Sequence, residues 1–201
     1  MDLDAPYRIS RDPYVDPQSG VLRNLLGLTD AAALAAAEED ITYAAIAAVL
    51  AEQPYQVEQI GFDTLKDIHF RVFGSIYDWA GELRTVEISK GSTRFAFSHH
   101  LEQAGTAVFA ELAAEDWLRG TGRGTFVARL AHYLADLNVL HPFREGNGRA
   151  IRTLASVIAY QARGIVIAWQ DMTADENNAA SAYAYTHDDS LIAAMLDRLI
   201  R

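Results

Sequence analysis

Pro142 constrains this chain more than any other residue, because it stands where a buried helical stripe has to end. In FVARLAHYLADLNVL, residues 126–140, Phe126, Leu130, Leu134, Leu137 and Val139 or Leu140 recur at helical spacing and predict a helix running through the core. Proline disfavours helical geometry at the residue before it, so this helix stops with His141 at its exit. Phe143, Arg144, Glu145, Gly146, Asn147, Gly148 and Arg149 follow, and then a second helical run that contains Arg152. The chain is committed to a rigid helix, a glycine-bearing turn and another helix, with one histidine, one carboxylate and three arginines at the junction.

Each residue type at this junction has a chemistry. Gly146-Asn147-Gly148 can take left-handed conformations that turn successive backbone N–H groups toward one point. They do so at the start of a helix, whose dipole also favours an anion. Arg149 and Arg152, three residues apart, project from one face and reach the same polyanion. A nest and two arginines together point to a di- or triphosphate. Phosphate repels Glu145 unless a divalent cation lies between, and one carboxylate plus phosphate oxygens is a common way to hold Mg²⁺. His141 is the group in the run that accepts a proton near pH 7, which suits it to activating a hydroxyl.

The surroundings are ordinary for a single domain of 201 residues with 50% apolar and 22% charged content. Seventeen Lys and Arg against 27 Asp and Glu give a formal charge of −10, which argues against nucleic-acid binding. Between His141 and Arg152, however, Arg144, Arg149 and Arg152 face only Glu145, a local balance of 3 − 1 = +2. The absence of cysteine excludes disulfides, thiolate nucleophiles, zinc fingers and iron–sulfur clusters. The N-terminus lacks a signal-peptide pattern, and the alanine-rich stretch 31–51 is too interrupted by Glu38, Glu39 and Asp40 to span a bilayer. A cytoplasmic protein without membrane contact is expected.

Elsewhere the pattern is mostly helical. Residues 1–22 hold three of the five prolines and read as an irregular arm. Thr29 or Asp30 caps a helix to about 52, closed by Pro54, and Asp63 caps another that ends near Gly74. Val86, Ile88, Thr93, Phe95 and Phe97 flank Lys90-Gly91-Ser92, which predicts a β-hairpin. Further helices fit 99–118, 125–140, 148–163, 173–185 and 189–200, with the loop RGTGRGT a plain turn. The fold class is one mostly-α domain with a hairpin insertion.

The run HPFREGNGR at 141–149, extended by Arg152, resembles the signature HPFx[DE]GNGRxxR of Fic domains, enzymes that transfer AMP from ATP to protein hydroxyls. It matches at every fixed position, and LRNLLGL at 22–28, IYDWAGELR at 76–84, KGSTRF at the hairpin tip and LNVL before the motif extend the likeness. Beside the irregular arm over 1–22, the resemblance implies a Fic domain over 23–201, and the likeness itself runs from roughly Tyr7 onward. His141 would be the base and Phe143 the anchor of the active-site loop. Glu145 would hold Mg²⁺, the backbone of Gly146, Asn147 and Gly148 would form the anion hole, and the Asn147 side chain would help hold the α-phosphate. Arg149 and Arg152 would bind the β- and γ-phosphates. The hairpin at 84–98 would be a flap that docks the target protein by strand addition, with Lys90 and Gly91 touching the nucleotide.

Doc-like relatives phosphorylate their targets and carry lysine where Gly148 stands, so AMP transfer is the expected reaction. A phosphotransferase and an inactive binding module are the alternatives. Many Fic domains also carry an inhibitory helix, [ST]xxxE[GN]. Only Glu145 and Glu176 precede Gly or Asn here, and four residues before them stand His141 and Met172, so neither fits. The resemblance therefore implies the toxin subclass inhibited by a separate small antitoxin protein.

Overall fold

The computed structural model describes residues 12–91 and 93–201; residues 1–11 of the expected arm and Ser92 of the expected turn lie outside them. Alanine propensity and one side-chain cap account for the first helix, α1 (Ala31–Glu52): the Asp30 carboxylate accepts the Ala33 N–H at 2.8 Å. Gln53 ends it in the left-handed region, and Pro54 follows. The second helix, α2 (Phe62–Phe73), begins earlier than Asp63 predicts. Gly61 is its N-cap, its N–H bonded to the Thr64 hydroxyl at 3.0 Å, and Asp63 instead pairs with Lys66 at 2.7 Å. Burial of Phe62 in the core draws that first turn inward.

The hairpin is shorter than its strand-forming residues suggest. Only β1 (Ser89–Lys90) and β2 (Thr93–Arg94) form a ladder, with Ser89 opposite Arg94 and Lys90 opposite Thr93. Below it the two arms turn toward the helices. The Ala96 N–H bonds to the Val139 carbonyl at 3.0 Å, and the Phe95 ring stacks on His141.

The stretch expected as one helix over 99–118 is divided. One 3₁₀ turn leads into α3 (Leu101–Ala114), and the chain then passes through positive φ at Asp116, Trp117 and Leu118. Two side chains hold that turn in: Leu118 is wholly buried, and the Trp117 indole donates to the Ile60 carbonyl at 2.9 Å. Arg123, Gly124 and Thr125 belong to the first turn of α4 (Arg123–Leu140) instead of the preceding loop. Then come α5 (Asn147–Arg163), α6 (Ala174–Thr186) and α7 (Ser190–Leu199). The central helix α4 packs against α3, α5, α6 and α7, while α5 also meets α1 and α2. The junction of α4 and α5 therefore lies beside α1, α2, α6 and the hairpin.

Two glycines test how tightly these helices meet. A β-carbon at Gly105 of α3 would penetrate the Phe62 ring, whereas one at Gly124 of α4 would meet nothing within 4 Å. Gly105→Ala is expected to destabilise the fold by about 2 kcal/mol through overpacking. Gly124→Ala should leave stability unchanged or raise it by up to about 1 kcal/mol through helix propensity. Urea denaturation of the two variants checks both, and equal midpoints would contradict the close packing of α3 on α2.

Candidate active site

His141 takes the conformation its position demands. As the C-cap of α4 it sits at φ 46°, ψ 63°, and its N–H still bonds to the Leu137 carbonyl at 3.0 Å. An L-residue held there costs about 1–2 kcal/mol, so neighbouring contacts must enforce it. The ring lies flat on Phe95, with centroids 3.8 Å apart. Its Nδ1 is 3.2 Å from the Asn138 carbonyl and therefore donates its proton there, leaving the Nε2 lone pair free. Burial, reinforced by the positive charges of Arg84 and Lys90, lowers the imidazole pKa to about 4. At pH 7 the ring is a neutral base on the wall of a cleft of about 760 Å³.

The turn after Pro142 is closed from inside. Phe143 is wholly buried and stacks on His69 at a 3.8 Å centroid distance. The His69 ring is equally buried and has a fixed tautomer. Its Nδ1 accepts the Gly81 N–H at 2.8 Å, so Nε2–H donates to the Glu145 carbonyl at 2.9 Å. Asn147, 2% exposed, spans the turn: Oδ1 accepts the Phe143 N–H and Nδ2 donates to the Phe143 carbonyl, both at 2.8 Å. That amide holds the loop, and since Nδ2 carries two hydrogens, one donor remains beyond the bond to Phe143 for the phosphate contact expected of it. Of the three expected left-handed residues only Gly146 is left-handed, at φ 78°, where a β-carbon would enter the Phe73 ring. Asn147 and Gly148 already belong to α5, so the place expected to be an anion hole is a helix N-terminus. The first internal bond of α5 comes from Ala150. The N–H groups of Asn147, Gly148 and Arg149 therefore have no partner among the described residues.

The arginines behave differently from one another. Arg149 is gripped from α1, where its Nη2 pairs with the Glu38 carboxylate and its Nη1 donates to Thr42 Oγ1 at 3.2 Å. The Tyr77 hydroxyl donates to the other Glu38 oxygen. Arg144 pairs with Asp12 of the arm at 2.8 Å. The expected local surplus of +2 is thus largely cancelled by Glu38 and Asp12, which lie 111 and 132 residues away in sequence. Arg152 alone of the three has no side-chain partner among the described residues; burial and the nearby Arg149 both lower its pKa. Glu145 accepts the Gly146 N–H on Oε1 at 2.9 Å, with its side chain nearly half exposed toward the cleft.

The cleft brings His141, Glu145, Gly146, Asn147, Gly148, Arg149 and Arg152 together with Lys90 and Gly91 of the hairpin tip. Its opposite wall is α6, which the sequence reading assigned no role. Asn178 Oδ1 accepts from Lys90 Nζ at 3.0 Å, and the Tyr185 hydroxyl donates to the Arg94 carbonyl at 2.7 Å. Asn177 and Ser181 line the same wall. Their helical spacing within ADENNAASAYAYT was the available signal, but a polar stripe on a helix is usually a solvated face. Also unassigned was Arg84, 2% exposed, whose guanidinium reaches the carbonyls of His141, Val86, Ala96 and Leu140.

If Glu38 fixes Arg149, removing its carboxylate leaves a half-buried guanidinium and the Tyr77 hydroxyl unpartnered. Glu38→Ala is then expected to destabilise by about 3 kcal/mol, against under about 0.5 kcal/mol for the exposed neighbour Glu39→Ala. Denaturant titration should also return a coupling of about 1 kcal/mol or more in the Glu38→Ala, Arg149→Ala cycle. Equal effects of the two alanine variants would disprove the grip.

Comparison with known proteins agrees with this geometry. Residues 59–159 match the Fic/DOC family. The chain is 36% identical over 192 residues to protein adenylyltransferase VbhT of Bartonella schoenbuchensis, covering 96% of this chain and 40% of that protein. It is 37% identical over 190 residues to the probable protein adenylyltransferase Fic of Salmonella typhimurium, covering 94% and 92% respectively. Among solved structures, the BepC protein of Bartonella tribocorum with bound AMPPNP superposes with a TM-score of 0.84 at 20% identity, over 94% of this chain and 96% of that one. With the signature loop folded at the exit of α4 and this likeness running along nearly the whole sequence, the chain belongs to the Fic/DOC family.

Proposed function

We propose that this chain is a protein adenylyltransferase, transferring AMP from ATP to a Tyr, Ser or Thr hydroxyl of a target protein. The observation that carries the reading is the meeting, in one cleft, of a neutral imidazole, the N-terminus of α5 and a guanidinium, Arg152, that has no side-chain partner among the described residues. The names of the relatives support it, as do the AMPPNP on BepC and the ADP on a Fic domain from Bartonella quintana.

In the proposed reaction the target hydroxyl is held against the flap and gives its proton to His141 Nε2 as its oxygen attacks the α-phosphorus. The bond to the bridging oxygen breaks and pyrophosphate leaves. The N–H groups of Asn147, Gly148 and Arg149 stabilise charge on the α-phosphate, and Arg152 takes the outer phosphates. Arg149 contributes only the donors that Glu38 and Thr42 leave free. Glu145 fits Mg²⁺ arriving with the nucleotide: one carboxylate faces the cleft, and no cluster of three ligating side chains occurs among the described residues. Such an ion would supply neutralising charge to the phosphates.

Gly148 favours AMP transfer over the Doc-like phosphotransfer. A β-carbon there would sit 3.1 Å from Arg152 Nη1, so a longer side chain would displace the guanidinium assigned to the outer phosphates. Arg152 also supports the toxin reading. Glu38 occupies Arg149 and not Arg152, which leaves Arg152 for a glutamate brought by a small antitoxin protein. No described helix is long and apolar enough to cross a membrane.

Incubation with host lysate should label a protein from [α-³²P]ATP and not from [γ-³²P]ATP; labelling from the γ-position alone would overturn the reading. His141→Ala is expected to lower transfer by about 10²–10⁴-fold with ATP binding retained. Because the base works unprotonated and its pKa is lowered to about 4, kcat/KM should show no histidine limb between pH 5 and 7. A pH–rate profile with an acid limb near 6.5 would contradict that assignment.

A further inference from the structure

We propose that Arg84 is a positioning residue that ties the flap to the catalytic end of α4 through one buried guanidinium, so that target docking and the placement of His141 are set together. The inference rests on the adenylyltransferase reading. Arg84 is 2% exposed, and among the described residues its side chain makes no hydrogen bond to a carboxylate. The nearest, Glu87, is 3.9 Å away and accepts instead from the Ser98 N–H and hydroxyl at 2.9 and 2.7 Å. Glu87 thus offers the guanidinium a long ion pair, while all of Arg84's side-chain hydrogen bonds among the described residues go to backbone carbonyl oxygens. Nε donates to His141 at 2.8 Å, Nη1 to Val86 at 2.7 Å, and Nη2 to Ala96 and, at 3.4 Å, to Leu140.

These acceptors fall into two groups. Leu140 and His141 supply the terminal carbonyls of α4, where the helix dipole favours a cation. Val86 and Ala96 stand on opposite arms of the hairpin, below the short ladder of β1 and β2. The guanidinium thus replaces the missing rungs at the flap's base and joins both arms to the helix end. Its own backbone N–H adds a bond to the Pro142 carbonyl at 2.9 Å, so the carbonyls of His141 and Pro142 are both held from residue 84. The strained φ at His141 has its restraint here. Only a planar fork with five donors can serve this spread of acceptors; a lysine ammonium reaches some of them.

The test uses the full chain and its Arg84→Lys and Arg84→Met variants. Arg84 does not line the cleft, so ATP affinity should stay within about twofold in both. For transfer to a target protein, kcat should fall about 100-fold in Arg84→Met, as expected for a misplaced reacting group, with target KM raised. Arg84→Lys should recover only part of the loss. Hydrogen exchange gives a readout independent of activity. In the wild type the amides of Ala96 and His141 should open at one common rate, and in Arg84→Lys both should exchange at least tenfold faster while α3 is unchanged. Wild-type kinetics in Arg84→Lys would overturn the proposal, as would parallel loss of ATP binding, stability and transfer. If neither variant folds, wild-type exchange decides: rates at Ala96 and His141 differing by more than tenfold refute the tie, and equal rates support it. A chain that transfers no AMP from ATP to any target refutes the reaction and leaves the exchange result to judge the tie.

Discussion

Phe143 stacked on His69 is the contact around which the site is assembled. Both rings are wholly buried, and each is bonded onward: Phe143 through its backbone to Asn147, His69 through its two nitrogens to Gly81 and Glu145. The stack draws the turn between α4 and α5 down onto α2. That movement aims the α5 N-terminus into the cleft and brings Gly146 against Phe73, where only glycine fits. A polar turn of this kind would ordinarily lie loose on the surface. Here an apolar anchor and a two-ended amide fasten it to the core.

Charge is arranged by distance in sequence rather than along it. The chain is strongly acidic, yet its acids do not simply surround the cleft. Glu38 and Asp12 each neutralise one arginine of the loop from behind, and Arg152 is left facing inward. Removing two of three positive charges lowers the mutual repulsion that would otherwise strain so short a segment, while keeping a cation where a polyanion can reach it.

How far the sequence reads into this structure depends on whether the decisive interaction is local. Pro142, the apolar stripe of α4 and the Asp30 cap are local, and the helix, its stop at His141 and the start of α1 follow from them. The clustering of His141, Glu145 and Arg152 was legible for the same reason, since the exit of α4, the turn after it and the start of α5 carry all three. Elsewhere distant contacts decide. Strand propensity in Val86, Ile88 and Phe97 yields to the carbonyl contacts of Arg84, and the left-handed turn at 116–118 is held in place by Leu118 and the Trp117 indole. The roles of Glu38, Asn178 and Tyr185 are invisible in sequence because each acts on a partner more than 80 residues away. Asn147 shows the converse: its motif position suggests a ligand contact, and its neighbours add a second task that the motif does not spell out, fastening the loop.

Asn147 and Gly148 also form a chemically fragile pair. Asparagine followed by glycine is the dipeptide most prone to ageing, because the flexible glycine lets its backbone nitrogen attack the side-chain amide and expel ammonia. In this chain the amide is engaged at both ends by Phe143, and Gly148 is already wound into α5. The fastening that shapes the loop thereby slows its chemical decay. A chain that loosened here would drift toward aspartate and isoaspartate at 147, placing a negative charge at the open N-terminus of α5.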